Sequence, residues 1–156
     1  MVSQVCGFII VKSLARPVQH IDGIGVAQDD RLARQHFANA SESGYLPARF
    51  DLAELLIRSD LKTDHTYGKT LLRAAAEAGF APAQRSLARH LYTGRNFERD
   101  LVRAYKWLAL AERTWPGTGK EELARERAGL ERSLTPAQLT SSKAMVRDWK
   151  PVQRSS

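Results

Sequence analysis

The sequence predicts an all-α protein made of repeated helical units. Ala, Leu and Arg are abundant, and there are no segments in which Val, Ile or Thr alternate with polar residues, so helix propensity prevails along most of the chain. Its 156 residues are enough for one compact domain. The chain also repeats itself at an interval of 35 residues, which is typical of stacked helical pairs.

The clearest repeat relates "SGYLPARFDLAELL" (43–56) to "AGFAPAQRSLARHL" (78–91). In both segments a Gly is followed by an aromatic residue, Tyr45 or Phe80. Ala and Leu then recur every four residues, so that they form one apolar stripe on a helix facing the core. The identities, all 35 residues apart, pair Gly44, Pro47, Ala48, Leu52, Ala53 and Leu56 with Gly79, Pro82, Ala83, Leu87, Ala88 and Leu91.

A second helix belongs to each repeat. "DRLARQHFANASESG" (30–44) and "YGKTLLRAAAEAGF" (67–80) share Ala, Glu and Gly positions 35 residues apart, and "VRAYKWLALAER" (102–113) continues the pattern at 36. Gly68 stands where the later repeat has Ala104, and Leu71 where it has Trp107. Three second helices are therefore predicted, but only two clear first helices.

The segment "DGIGVAQDD" (22–30) is predicted to be a loop before a second helix, with Gly23 and Gly25 supplying a tight turn. A dinucleotide-binding loop would need a third Gly in place of Gln28 and a preceding strand, so this alternative is rejected. In each repeat we expect an apolar residue to fill the loop and an Asp to cap the next helix. These residues are Val26, Leu61 and Phe97, and Asp29, Asp64 and Asp100.

Boundaries follow from the same signals. Residues 1–21 are expected to be a degenerate repeat helix interrupted by Pro17, or partly disordered, and residues 22–115 to be the repeats. Residues 116–149 are expected to form capping helices, and 150–156 a disordered tail after Pro151. Thr135 as N-cap, Pro136 in the first turn and Gln138 predict a capping box for the last helix.

The Gly-aromatic turn, the Ala-x-x-x-Leu-Ala helix, the loop Gly and Asp, and the Ala-x-x-Trp second helix together resemble the Sel-1-like repeat family. The resemblance covers residues 22–113 and is best over 79–111. It implies a right-handed, tetratricopeptide-like α-solenoid of about three helix pairs with a C-terminal helical cap. It also implies that the first helices line a concave groove, and that the protein is a non-enzymatic adaptor or regulator of bacterial type.

If the Ala and Leu stripe is buried, the opposite stripe of the first helices faces that groove. We expect it to bind a protein or peptide, with Phe50 as anchor and the arginines binding carboxylates of an acidic segment. The candidate binding residues are Phe50, Asp51, Glu54, Arg58, Arg85, Ser86, Arg89 and Thr93.

Residues that could carry catalysis or bind a metal are present but scattered. His20, His36, His65 and His90 lack metal-ligand spacing, and Ser41, Ser43, Ser59 and Ser86 lack a nucleophile-elbow motif. With Cys6 as the single cysteine, no disulfide within the chain is available. We predict no metal, cofactor or catalytic residue, and a packing role for Trp107 and contacts with the terminal helices for Trp115 and Trp149.

The sequence allows two other functions. The net charge of +7 allows nucleic-acid binding through Arg85, Arg89, Arg95, Arg99 and Arg103, although interleaved acidic residues favour an ordinary solvated surface. A hydrolase is the third option.

The apolar stretch 5–11 is too short for a membrane span, so we expect a cytoplasmic protein. A start codon further upstream would instead make it periplasmic or secreted. We expect the protein to be a monomer or a weak homodimer.

Overall fold

The computed structural model describes residues 24–152, and within that range it contains only helices. They are α1 (Ile24–Glu42), α2 (Leu46–Ile57), α3 (Lys62–Glu77), α4 (Ala81–Thr93), α5 (Leu101–Thr114), α6 (Lys120–Glu131) and α7 (Pro136–Asp148). The described residues divide between two compact units at Leu32 and Ala33, and residues 33–152 lie in the second unit. The all-α prediction is confirmed, while the predictions for residues 1–21 lie outside the described range.

The second unit is organised as helical pairs. α2 packs against α3, and α4 packs against α5. The two pairs are joined by contacts between α3 and α4. Ala48, Leu52 and Leu56 on α2 are buried, as are their copies Ala83, Leu87 and Leu91 on α4. The predicted apolar stripes are therefore buried, and their leucines belong to the hydrophobic core.

Identical turns connect one pair to the next. Gly44 and Gly79 have left-handed backbones, with φ of +84° and +91°, a conformation that Gly adopts without steric cost. At the first turn, the Tyr45 N–H donates to the Ala40 carbonyl and the Gly44 N–H to Ser41. Phe80 and Gly79 repeat both bonds, so each turn ends a second helix with a Schellman motif.

The loop predictions hold only in the last repeat. Asp100 is the N-cap of α5 and accepts a bond from the Arg103 N–H at 2.9 Å, and Phe97 is buried as expected. Leu61 does not fill its loop, because the shorter connection 58–61 places it at the N-cap of α3 with 60% of its surface exposed. Asp64 lies in the first turn of α3 and accepts bonds from Ser59 and Arg34 instead of capping the helix.

The loop predicted at 22–30 is wrong from Ile24 onward, because α1 begins there. Asp29 is therefore five residues inside the helix and does not cap its start, and Gly25 is helical. A Gly within a helix costs only about 1 kcal/mol relative to Ala, and the segment that follows contains no Pro to stop the helix.

Gly68 explains one irregularity of the repeats. A Cβ at this position would lie 2.9 Å from the Ala53 carbonyl oxygen and 2.9 Å from the Leu56 Cβ, both on α2. Real Cβ atoms do not approach other atoms so closely, so a residue without a side chain is required here. α2 and α3 therefore pack closer at Gly68 than any other residue type would allow.

The C-terminal helices cover the last repeat. α6 and α7 both pack on α5, and Leu123 and Leu130 of α6 are buried. The predicted capping box of α7 is present, with bonds of 3.3 Å and 3.0 Å between Thr135 and Gln138. Within residues 24–152, every helix is too short or too polar to cross a bilayer.

Trp107 and Trp149 hold this cover in place, as their sequence positions predict. Trp107 is buried, and the half-buried Trp149 packs edge-on against it with ring centroids 6.4 Å apart. The Val152 N–H then donates to the Glu77 carbonyl at 2.8 Å, which fixes the chain just beyond α7 to the end of α3. Trp115 follows α5 and donates its indole N–H to the Thr118 carbonyl at 3.2 Å.

Candidate binding face

The eight predicted binding residues lie on the two consecutive first helices, α2 and α4. Asp51, Arg58, Arg89 and Thr93 are exposed, and the other four are half-buried. The Ser86 hydroxyl donates to the Glu54 carboxylate, and this bond joins the two helices at the middle of the stripe. We call the outward side of α2, α4 and α6 the first-helix face.

Phe50 is less available than a free anchor would be. Its ring packs edge-on against Phe80, with centroids 5.7 Å apart, and contacts the hydrophobic core. Phe80 is the N-cap of α4, so Phe50 contributes to the packing between α2 and the start of α4. Contact with a partner would use only the part of the ring that remains exposed.

Arg85 is already bound within the chain. Its guanidinium donates to Glu122 at 2.7 Å and to Glu126 at 2.5 Å, and it lies 5.5 Å from the Trp115 ring. The hydrogen bond to Glu126 is the main reason that the pKa of Arg85 is raised. Arg85 therefore fixes α6 to α4, and its charge is largely balanced before any partner arrives.

A groove opens beside α4, where α4, α5 and α6 meet, and has a volume of about 430 Å³. Its apolar lining comes from Ala88, Tyr92, Leu108 and Leu130, and its polar residues are Arg89, Thr93, Arg125 and Glu126. Two predicted residues, Arg89 and Thr93, thus lie at the groove. The sequence prediction does not include Tyr92 and Arg125, which also line the groove. Tyr92 could have been found from its position one turn after Arg89. Arg125 could not, because it lies on a helix outside the repeat pattern.

The charges along the first-helix face are separated. Asp51 and Glu54 lie on α2, and the pKa of Asp51 is raised by burial and by the neighbouring Glu54. Arg89 and Arg125 lie at the groove, and the structure gives neither side chain a carboxylate partner among the described residues. The groove is consequently the basic end of this face.

Groups that could support hydrolysis do not form a catalytic arrangement in the described part of the chain. The Ser59 hydroxyl donates to Asp64 at 2.7 Å, while His65 Nε2 contacts the Ser59 carbonyl oxygen, so the imidazole is not placed to take the hydroxyl proton. His90 is half-buried, and burial lowers its pKa. No cluster of three potential metal ligands occurs among the residues that the structure describes.

The arginines considered for nucleic-acid binding have separate roles. Arg85 is ion-paired with α6, Arg103 pairs with Asp100 at 3.3 Å, and Arg99 donates to the Tyr92 carbonyl at 3.2 Å. Arg89 lines the groove on the first-helix face, whereas Arg103 lines a different cavity beside α3 and α5. These side chains do not converge on one stripe.

The repeat boundaries in the structure coincide with those of a known family. The model of the Sel1 repeat matches residues 20–45, 46–80 and 81–113, which together make up more than half of the chain. The chain belongs to the Sel1 repeat family. Its second and third repeats begin at Leu46 and Ala81, the first residues of α2 and α4. Proteins of this family generally act as protein–protein interaction modules and are typically non-enzymatic.

A solved structure supports the same fold. The Sel1 repeat protein resembles the crystal structure of a protective antigen from uropathogenic Escherichia coli that displays an SLR fold, with 28% identity and a TM-score of 0.64. The similarity covers 74% of the chain but only 24% of the antigen, so the chain spans about a quarter of that protein's length. No curated protein matches the chain.

Proposed function

We propose that this Sel1 repeat protein is an adaptor or regulator that binds an extended segment of a partner protein on its first-helix face. The single observation that carries the proposal is the groove between α4, α5 and α6. It joins an apolar surface to two arginines without carboxylate partners in the described chain, and it lies beside the stripe that the sequence selects.

The lining of the groove suits a peptide side chain. Tyr92 is 48% exposed, although aromatic side chains tend to be buried, and Tyr is among the residues that contribute most to binding at protein interfaces. A volume of about 430 Å³ accommodates one large side chain with its neighbours. Arg89 and Arg125 can donate paired hydrogen bonds to carboxylates, so an acidic residue beside an apolar one is the expected recognition element.

The test is affinity capture from nuclease-treated lysate, followed by direct titration of the recovered partner. The groove variant carries Arg89→Glu, Tyr92→Ala and Arg125→Glu. Its matched control carries Lys62→Glu, Tyr67→Ala and Arg113→Glu, which makes the same change in charge and also removes one exposed Tyr. Phe50 and Arg85 are left intact, because both contribute to internal packing.

We expect wild type and control to bind the same protein, and the groove variant to bind it at least tenfold more weakly. Retention of the partner by the groove variant would show that another surface carries the function. Recovery of nucleic acid that dissociates steeply with salt would instead support the basic-surface alternative.

A further inference from the structure

A second cavity lies away from the first-helix face. It lies among α3, α4, α5 and the end of α7 and has a volume of about 430 Å³. We call it the second-helix cleft, and its charged and aromatic lining residues include Arg73, Glu77, Arg103, Lys106, Trp107 and Trp149. Nothing in the proposed function uses these side chains.

Positive charge is crowded around this cleft. Arg73 from α3 and Arg103 and Lys106 from α5 line it, and Lys69 lies one turn before Arg73. Arg73 and Lys69 both approach the Phe97 ring, at 5.1 Å and 5.7 Å from its centroid, and Lys106 lies 4.2 Å from the centroid of Trp107. Bringing like charges together is unfavourable unless an anion compensates them.

The nearby carboxylates leave part of this charge uncompensated. Asp148 receives bonds of 2.8 Å and 3.2 Å from its neighbour Arg147. Its charge is therefore balanced by an arginine that does not line the cleft. Arg103 pairs with Asp100, but the structure gives neither Arg73 nor Lys106 a carboxylate within 4.0 Å among the described residues. Glu77 is the remaining acidic group that lines the cleft.

Partial burial of Lys106 makes a counter-ion beside it more stabilising. Burial lowers the pKa of Lys106, Glu77 opposes this shift, and Arg103 adds to it. The ammonium group is therefore held where water solvates it poorly, and a bound carboxylate would stabilise its charged form.

We propose that the second-helix cleft binds an acidic segment of a partner protein, with carboxylates on Arg73 and Lys106 and an apolar side chain against Met145 and Trp149. Met145 is 40% exposed and Trp149 half-buried, so the cleft offers apolar contact next to its cations. Glu77 interrupts the positive surface and would repel a continuous phosphate backbone. A peptide that alternates acidic and apolar residues can place an apolar side chain at this position.

The cleft provides its own optical signal, because Trp107 and Trp149 both line it. The probe is the synthetic peptide acetyl-Glu-Leu-Glu-Glu-Leu-Glu-amide, titrated while tryptophan emission is recorded and, in parallel, by calorimetry. The cleft variant is Arg73→Gln with Lys106→Gln, and the matched control is Lys62→Gln with Arg113→Gln. Arg73→Gln alone serves as a second variant, because this exposed side chain can be changed without disturbing the core.

We expect saturable binding that weakens at least tenfold in the cleft variant, at least threefold in Arg73→Gln, and not at all in the control. Equal binding of the peptide with every Glu replaced by Gln, or equal binding by the cleft variant, would overturn the proposal. The same emission change with inorganic phosphate, or tighter binding of a single-stranded oligonucleotide, would also overturn it. The groove also suits an acidic residue beside an apolar one, so the tryptophan emission change, which Trp107 and Trp149 report from the cleft, separates the two sites. The groove variant should keep this emission change, and its loss there would assign the peptide to the first-helix face.

Discussion

Gly68 shows how one residue sets the distance between two helices. In most helical positions, replacing Gly by Ala stabilises a protein by about 1 kcal/mol. Here the added methyl group would meet the Ala53 carbonyl oxygen and the Leu56 Cβ at 2.9 Å. We predict that Gly68→Ala lowers the free energy of unfolding by about 1–2 kcal/mol, because overpacking of this kind costs about 1–3 kcal/mol and exceeds the gain in helix propensity.

Gly129 is the control for this prediction. It lies inside α6, and the nearest atom to a new Cβ would be the flexible end of Arg132, 3.9 Å away. Gly129→Ala should therefore be neutral or stabilise the protein by up to about 1 kcal/mol. Urea denaturation followed by circular dichroism measures both variants, and equal stabilisation by the two would show that α2 and α3 separate easily at Gly68.

At the scale of the helix, the sequence predicts features that lie within one helix better than features that depend on contacts between distant residues. The apolar stripes of α2 and α4, the Asp100 cap and the Thr135 capping box all follow from spacings of three or four residues, and all are present. The start of α1 was misplaced, because Gly is an ambiguous signal that both turns and helices tolerate.

The candidate site was predicted less completely for the same reason. Helical periodicity identified the outward stripe of α2 and α4, but it contains no information on which distant helix contacts that stripe. The pairing of Arg85 with Glu122 and Glu126 joins residues 37 and 41 positions apart, and the groove depends on Leu130 and Arg125 of α6. Such contacts require the three-dimensional arrangement of α6 against α4.

The attachment of α6 to α4 can be tested through Arg85. We predict that Arg85→Ala lowers the free energy of unfolding by about 1–2 kcal/mol, because it removes a partly buried guanidinium with two carboxylate partners and its contact with Trp115. The effect should shrink when Glu126→Gln is already present, since the two changes remove the same interaction.

Arg147→Ala provides the control at this scale. Arg147 and Asp148 form an ion pair whose side chains are 74% and 66% exposed, so solvent screens the pair and its loss should leave the stability of the protein unchanged. Thermal and urea unfolding of both Ala variants, at low and high salt, measure the difference. An Arg85→Ala variant as stable as Arg147→Ala would mean that apolar packing alone holds α6.

At the scale of the whole second unit, stability depends on neighbours and on the cover at its end. Each helical pair leaves an apolar side that the next element must bury, so stability in such proteins is close to a sum of local and nearest-neighbour contributions. α7 and Trp149 supply this cover by packing on α5 and Trp107. Damage to the cover should consequently weaken the adjacent helices most.

Trp149→Ala tests this view of the molecule. Loss of a buried Trp costs about 3–5 kcal/mol, and because Trp149 is only half-buried we expect about 2–3 kcal/mol. Amide hydrogen exchange should accelerate most in α5 and α7, and least in α2, which lies farthest along the series of contacts. Met145→Ala, at an exposed position on the same helix, should change exchange little. Equal acceleration in every helix would instead show that the repeats open as one cooperative unit, whose stability is shared across all the helical pairs.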